Sequence, residues 1–297
     1  MGHKIVNIGC FKESELCIIK IKEGDYMSKT ILTIQDISCY GNCSTTVALP
    51  ILARFGIETA ILPSALLSTH TQGFKDWTFL DLTDEMPKII DHWWHEGIQF
   101  DAIYTGYIGN PKQFKIILDA KDKLLKEDGL FIVDPAMADH GKLYPGFDEF
   151  TIIGMRDLIS VADYILPNIT EACFLTGNHY EEIQDDDYIN KLLQDLYQLG
   201  AKNIILTSAQ DDFDSIGVIS YDGLTKTTIM KEKIEKNYHG TGDIFSSLVV
   251  AGILNGKDIK DNLNFATDFI MNSIDITLDD PYHEYAPKYE QILKRNL

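Results

Sequence analysis

The stretch with the most evident chemistry is Gly240-Thr241-Gly242-Asp243, which precedes an apolar run. A glycine-rich turn that opens a helix aims unpaired backbone N–H groups and the positive end of the helix dipole at one point, which suits phosphate. A carboxylate repels an anion, so Asp243 makes sense there if it takes a proton from a hydroxyl that attacks phosphorus. The alternative is an N-terminal acid and a simple glycine turn at the start of a core helix. The stretch alone leaves both interpretations open.

Composition limits the class of protein. The chain has 297 residues, 45% of them hydrophobic, which is enough for one large α/β domain or two ordinary ones. Its formal net charge of −19 disfavours nucleic acid and anionic membranes as partners. Apolar runs fall short of the roughly 18 residues that span a membrane, and no signal peptide is evident. The five cysteines fit no zinc spacing, so we expect a reduced, cytoplasmic protein.

From residue 30 onward, strand-like runs alternate with helix-like segments. Strands are predicted at 30–35, 59–62, 102–105, 130–133, 164–166 and 203–206, with a hairpin at 216–221 and 226–231. Helices are predicted at 44–55, 84–96, 111–126, 150–161, 170–175, 188–199, 243–254 and 259–278, with Thr83 as the N-cap of the second. The alternation indicates a mostly parallel α/β sheet with helices on both faces. We expect residues 27–297 to form one domain and residues 1–26 to be a leader or an extra hairpin.

Ligands of such sheets bind beyond the carboxyl ends of the strands. Polar or glycine-containing segments follow the predicted strands at 35–36, 68–71, 105–110, 134–135, 168–171 and 207–208, so we expect a site there. Residues 139–146 are rich in turn formers and form a candidate lid that excludes water. The P-loop, dinucleotide-binding and serine-hydrolase motifs are absent from the sequence, which disfavours those three classes.

Several blocks of the chain, in order, resemble the ribokinase-like superfamily. Gly240-Thr241-Gly242-Asp243 resembles its G-x-G-D anion hole, and Asn168-Ile169-Thr170-Glu171 resembles its N-x-x-E motif. Within that superfamily, the blocks 68–71, 105–109 and 133–137 resemble the pyridoxal/pyridoxamine (vitamin B6) kinases. The resemblance covers residues 30 to 285. It implies a three-layer sandwich and an ATP-dependent kinase that phosphorylates the 5′-hydroxymethyl group of vitamin B6 vitamers in pyridoxal 5′-phosphate salvage.

The resemblance also implies roles for individual residues. The catalytic set is Asp243 as general base with Gly240, Thr241 and Gly242 as the anion hole. The substrate-binding set is Asp36, Thr69, His70 and Tyr107. The set that binds the nucleotide is Thr207, Ser208 and His239. The magnesium set is Asp134, Asn168 and Glu171. The structural alternatives are a helix cap for Asn168 and Glu171, turn hydroxyls for Thr207 and Ser208, core packing for Tyr107 and a local cap for His239.

Asp36 is the clearest departure from the family pattern, because many pyridoxal kinases carry serine there. A carboxylate can pair with a protonated ring nitrogen or with the aminomethyl group of pyridoxamine, and we expect it to favour the amine. The resemblance implies ATP and Mg²⁺, leaves a monovalent cation as an option and suggests a homodimer. Two alternatives stay open: a hydroxymethylpyrimidine kinase of thiamine synthesis, and a non-catalytic binder of a pyridine or pyrimidine ligand. The intact Asp243 argues against the binder.

Overall fold

The computed structural model describes residues 28–71, 73–236, 238–278, 280 and 286–295. The prediction for residues 1–26 lies outside this range. The strands are β1 (Thr30–Ser38), β2 (Glu58–Leu67), β3 (Phe79–Asp81), β4 (Phe100–Thr105), β5 (Leu125–Val133), β6 (Ala138–Asp139), β7 (Lys142–Leu143), β8 (Tyr164–Ile165), β9 (Asn203–Ala209), β10 (Ser215–Tyr221) and β11 (Lys226–Glu232). The helices are α1 (Thr45–Arg54), α2 (Met86–His95), α3 (Lys112–Leu124), α4 (Glu149–Ile159), α5 (Ile169–Thr176), α6 (Asp186–Gln198), α7 (Thr241–Leu254), α8 (Ile259–Asp275) and α9 (Tyr289–Arg295).

A nine-stranded sheet runs through the centre in the order β11-β10-β9-β8-β5-β4-β1-β2-β3. The six strands from β9 to β2 pair in parallel, whereas β3, β10 and β11 pair antiparallel. The parallel strands therefore end at one edge of the sheet, which is where polar segments were expected to meet. The small hairpin of β6 and β7 stands apart from this sheet.

Successive strand residues pack on opposite faces of the sheet. On β5, Phe131 and Val133 belong to the hydrophobic cluster beneath α2 to α6, while Ile132 belongs to the cluster beneath α1 and α7 to α9. All three side chains are fully buried. Because every second residue faces each layer, helices cover both sides of the sheet. The predicted α/β three-layer sandwich is confirmed.

Some local predictions were wrong. Helix α2 begins at Met86 after a cap at Glu85, not at Thr83, because Pro87 lies in the first turn and suits that position. The Thr83 amide instead donates to the Asp81 carboxylate at 2.7 Å. The sequence reading also missed β3, the β6–β7 hairpin and α9.

None of the helices in the described part of the chain is long and apolar enough to cross a membrane.

Candidate active site

A cavity of about 620 Å³ opens at the carboxyl ends of the parallel strands. It brings together residues that are far apart in the sequence and that the sequence analysis had singled out. Those that line it are Asp36, His70, Tyr107, Asp134, Asn168, Glu171, Thr207, Ser208, His239, Gly240, Thr241, Gly242 and Asp243. Thr69 is not among the lining residues, although its neighbours His70 and Thr71 are. The predicted role of Thr69 stays a prediction.

Helix α7 presents its N-terminus to this cavity. Gly240 caps the helix with φ +78°, a left-handed conformation that glycine adopts without strain. A Cβ on Gly240 would lie 2.5 Å from the backbone oxygen of Asn42, so the turn has no room for a side chain. A Cβ on Gly242 would meet nothing within 4 Å. The start of α7 therefore has open space beside Gly242 on the cavity wall, as an anion site requires.

Asp243 lies in the first turn of α7 and lines the same cavity. Burial raises the pKa of its carboxyl group to about 6, the backbone N–H of Ser44 opposes this rise by hydrogen bonding, and the charge of Asp36 adds to it. Ser44 holds a left-handed backbone with φ 51°, which is uncommon for serine. A carboxyl group with this pKa is mostly ionised at neutral pH, yet basic enough to accept a proton.

Asp134 and Glu171 form a second acidic centre, and both are buried. Burial raises the pKa of Asp134 to about 7, which a hydrogen bond from Ser246 opposes and the charge of Asp243 reinforces. Burial and then the charge of Asp134 raise the pKa of Glu171. Two carboxylates that interact in a buried place are the kind of oxygen donors that Mg²⁺ accepts. The described residues contain no group of three or more His, Cys, Asp or Glu side chains placed to hold a metal.

Asn168 and Glu171 also form the capping box of α5. The Asn168 side chain accepts from the Glu171 amide at 2.9 Å, and Glu171 Oε2 accepts from the Asn168 amide at 2.9 Å. Glu171 Oε1 accepts from the Met137 amide at 3.1 Å. The helix-cap alternative considered from the sequence is therefore present, and it coexists with a place on the cavity wall. The cap fixes the orientation of the Glu171 carboxylate.

Three of the four predicted vitamer-binding residues, Asp36, His70 and Tyr107, line the same cavity. Burial lowers the pKa of His70 to about 4, with a further contribution from His239, whose ring centroid lies 5.6 Å away. The Tyr107 ring stacks on Phe147 with centroids 5.2 Å apart. Burial and the charge of Asp36 raise the pKa of Tyr107 to about 12. At neutral pH this part of the cavity therefore offers a neutral imidazole and a neutral phenol beside the carboxyl group of Asp36.

Thr207 and Ser208 lie near the end of β9. The Thr207 amide donates to the Pro167 oxygen at 2.9 Å, and Ser208 has φ 61°. The sequence analysis missed other polar groups that line the cavity. These include Ser38, Ser44, Lys233, Lys236 and Ser246. Lys233 and Lys236 follow the antiparallel strand β11, so a search at the ends of parallel strands did not find them.

The segment 139–146, expected to act as a lid, contains the β6–β7 hairpin. Asp139, His140, Lys142, Leu143, Tyr144 and Pro145 all line the cavity. The Gly141 amide donates to the Thr170 hydroxyl at 3.0 Å, and Gly141 has φ +73°. The hairpin is therefore placed to cover the site, and its motion stays a prediction.

Asp134→Asn is expected to stabilise the ligand-free protein at alkaline pH. The ordinary pKa of aspartate is 3.8 and that of Asp134 is about 7. Between these values the native state holds a proton that the unfolded chain has released, so the free energy of unfolding falls as pH rises. Above pH 7 the charged form is destabilising by about 1 kcal/mol or more, and asparagine removes this penalty. Thermal unfolding of the variant and of wild type at pH 5 and pH 8 measures the difference in their stability.

The control for this variant is Asp139→Asn, which removes a carboxylate that lines the same cavity but has a side chain 46% exposed. We expect Asp134→Asn to gain more stability over wild type at pH 8 than at pH 5, and the control to gain at neither. Equal effects of the two variants would contradict the raised pKa of Asp134. Added MgCl₂ should stabilise wild type and not Asp134→Asn, because only wild type keeps both carboxylates.

Comparisons with known proteins agree with this geometry. Residues 54–285 match the model of the phosphomethylpyrimidine kinase family. A solved structure from Bacteroides thetaiotaomicron, described as a candidate phosphomethylpyrimidine kinase in an orthorhombic form with pyridoxal, is 35% identical with a TM-score of 0.86, covering 91% of this chain and 96% of that chain. The pyridoxal kinase structure from Lactobacillus plantarum is 30% identical with a TM-score of 0.81, covering 90% and 98%. The curated pyridoxal kinase of Dictyostelium discoideum is 28% identical over 242 residues, covering 75% of this chain and 78% of the relative.

Proposed function

We propose that this chain, which belongs to the phosphomethylpyrimidine kinase family, phosphorylates the 5′-hydroxymethyl group of vitamin B6 vitamers with ATP, in pyridoxal 5′-phosphate salvage. The observation that carries the proposal is the presence of Asp243 and the open start of α7 in one cavity. Support for the vitamer comes from the pyridoxal in the Bacteroides structure and from the relatives named pyridoxal kinases. The substrate set is Asp36, Thr69, His70 and Tyr107.

Asp243 acts as the general base. Its carboxylate accepts the proton of the 5′-hydroxyl group as the hydroxyl oxygen bonds to the γ-phosphorus of ATP. The bond between that phosphorus and the bridging oxygen of ADP breaks, and ADP leaves. A pKa of about 6 suits this role, because the carboxylate is charged at neutral pH and still a usable base. The amide of Ser44 keeps it oriented.

The backbone amides at the start of α7 stabilise the phosphoryl group. In a loose transition state, negative charge spreads over its oxygens, and fixed N–H donors need no reorganisation to meet it. Gly240 provides the left-handed turn, and Gly242 leaves room for close approach. Thr207, Ser208 and His239 line the same cavity and are proposed to contact the nucleotide.

Asp134 and Glu171 are proposed to hold Mg²⁺, together with Asn168. The donor set fits this ion, since both carboxylates are buried and their negative charges repel each other. A bound cation offsets this repulsion. When bound, Mg²⁺ offsets the negative charge of the ATP phosphates. Asn168 orients Glu171 through the capping box. The homodimer and the monovalent cation that the resemblance implies stay predictions.

A hydroxymethylpyrimidine kinase is the second candidate, and the name of the matching family favours it. Its ring substrate also presents a hydroxymethyl group, so Asp243 and the start of α7 would act in the same way. The difference between the two candidates lies in the residues around the ring, and the geometry of phosphoryl transfer does not distinguish them.

A phosphorylation assay with Mg-ATP and four acceptors tests the proposal. The acceptors are pyridoxal, pyridoxamine, pyridoxine and hydroxymethylpyrimidine, and mass spectrometry identifies the product. We expect a phosphate on the B6 vitamers. Phosphate on the pyrimidine alone would move the protein to the second candidate, and phosphate on none of the four would leave a binding protein of the same fold.

A further inference from the structure

One buried carboxylate of the cavity has no part in phosphoryl transfer as described above. Asp36 lies near the end of β1 and is 3% exposed. Its Oδ2 accepts from the Ser38 hydroxyl at 2.7 Å, which fixes the side chain. It lines the same cavity as Asp243 and Tyr107. A buried carboxylate that is not needed for the reaction calls for a ligand group of opposite charge.

Asp36 is joined to the general base through a single residue. The hydroxyl of Ser44 hydrogen-bonds to Asp36, and the backbone N–H of Ser44 hydrogen-bonds to Asp243. The charge of Asp36 also raises the pKa of both Asp243 and Tyr107. The two carboxylates are therefore neighbours on one wall, held by two polar groups of the same serine.

This neighbourhood favours the ring substituent next to the reacting hydroxymethyl group as the partner of Asp36. The group beside Asp243 is the 5′-hydroxymethyl group on ring carbon C5. The substituent on C4 is carried by the adjacent ring carbon, whereas the ring nitrogen is separated from C5 by C6. In pyridoxamine the C4 substituent is an aminomethyl group, a primary amine that is protonated at neutral pH as lysine is. In pyridoxine the same position carries a hydroxymethyl group of similar size without charge.

We propose that Asp36 binds the protonated aminomethyl group of pyridoxamine and makes this enzyme prefer pyridoxamine to pyridoxal and pyridoxine. The inference rests on the proposed vitamin B6 kinase function. It names the positively charged vitamer as the preferred substrate and assigns Asp36 as the residue that selects it.

The surroundings of Asp36 leave its charge to be matched by a ligand. Within the described part of the chain, the groups that stabilise its carboxylate are the hydroxyls of Ser44 and Ser38 and a backbone amide, and its charged neighbour Asp243 is also acidic. Burial raises the pKa of Asp36. A cationic amine in this place forms a charge-assisted hydrogen bond with the Asp36 carboxylate and offsets its negative charge. A neutral hydroxyl forms only an ordinary hydrogen bond.

The test compares kcat/KM for pyridoxamine, pyridoxine and pyridoxal in wild type, Asp36→Asn and Asp139→Asn. Asparagine preserves the shape of Asp36 and removes its charge. The matched control, Asp139→Asn, removes a charge from the same cavity at an exposed position on the hairpin. Pyridoxamine and pyridoxine differ only in the C4 substituent. Calorimetric binding of each vitamer to the same three proteins gives a readout that does not depend on turnover.

In wild type we expect kcat/KM for pyridoxamine to exceed that for pyridoxine. In Asp36→Asn the ratio of the two should fall by about 10- to 100-fold, with the loss in pyridoxamine binding. The control should keep the wild-type ratio. Thermal unfolding of Asp36→Asn should show a stable fold, because the change removes a buried charge.

An unchanged ratio in Asp36→Asn overturns the inference. An equal loss for all vitamers also overturns it, since this would place the ring nitrogen against Asp36. An equal fall in the control would attribute the preference to the overall charge of the cavity. If wild type binds pyridoxamine without phosphorylating it, the proposed function fails, and the binding ratio still decides the role of Asp36. If wild type binds no vitamer, both fail.

Discussion

Asp243→Asn is expected to lower kcat by about 10²- to 10⁴-fold. Asparagine has nearly the same shape as aspartate but cannot accept the proton of the attacking hydroxyl group. ATP binding should persist, because the amides of α7 remain and a negative charge next to the γ-phosphate is lost. Steady-state kinetics with saturating vitamer and Mg-ATP measures kcat, and calorimetry with ATP measures binding.

The pH profile gives a second readout of the same group. The pKa of Asp243 is about 6, so kcat of wild type should fall as pH decreases below that value and the base becomes protonated. The variant should lack this limb. Asp122→Asn, a control on α3 whose side chain is 75% exposed and does not line the cavity, should keep both the wild-type kcat and the acidic limb. Near-wild-type turnover by Asp243→Asn, or an acidic limb that persists in it, would contradict the role of general base.

Much of the fold was predictable because the central strands are buried on both faces. Residues 130–133 form a continuous apolar run, and the structure places its alternate side chains in the two hydrophobic clusters. Strand β3 lacks such a signal, because all its residues are exposed at the edge of the sheet. Strands β6 and β7 have two residues each, which is too short for any periodic pattern. Local periodicity therefore predicts the sandwich but not its edges.

The residues of the site, like the strands, could be predicted only where the local sequence carries a signal. Asp36, Asp134 and Asn168 could be singled out because each lies near the carboxyl end of a predicted parallel strand, and topology brings such ends together. Ser44 could not, because it acts on Asp243 through a backbone amide that a left-handed conformation presents. The burial of Asp36 could not be predicted from the sequence either, since it depends on the loops that surround the cavity. Residue type shows which chemistry is available, and packing decides which groups interact.

Gly240→Ala is expected to lower kcat/KM by more than about 10²-fold. The alanine Cβ would lie 2.5 Å from the Asn42 oxygen, and φ +78° is unfavourable for any residue with a Cβ. The turn must therefore shift, and the first amides of α7 move with it. Donors displaced from the phosphoryl oxygens lose transition-state stabilisation, so kcat should fall as well as ATP affinity. Kinetics and ATP calorimetry measure the two effects.

A control at the other end of the same helix separates backbone strain from damage to the site. Gly256 also has a left-handed backbone, with φ +66°, and a Cβ there would meet nothing within 4 Å. Gly256→Ala should therefore lower stability by about 1 kcal/mol while kcat/KM stays at the wild-type value. If Gly240→Ala loses only as much activity as Gly256→Ala, the start of α7 does not hold the transferred phosphoryl group. If Gly240→Ala folds poorly, Gly242→Ala tests the same anion site without a clash, because its Cβ enters the open space where the phosphate is proposed to bind, and ATP affinity should fall while stability is kept.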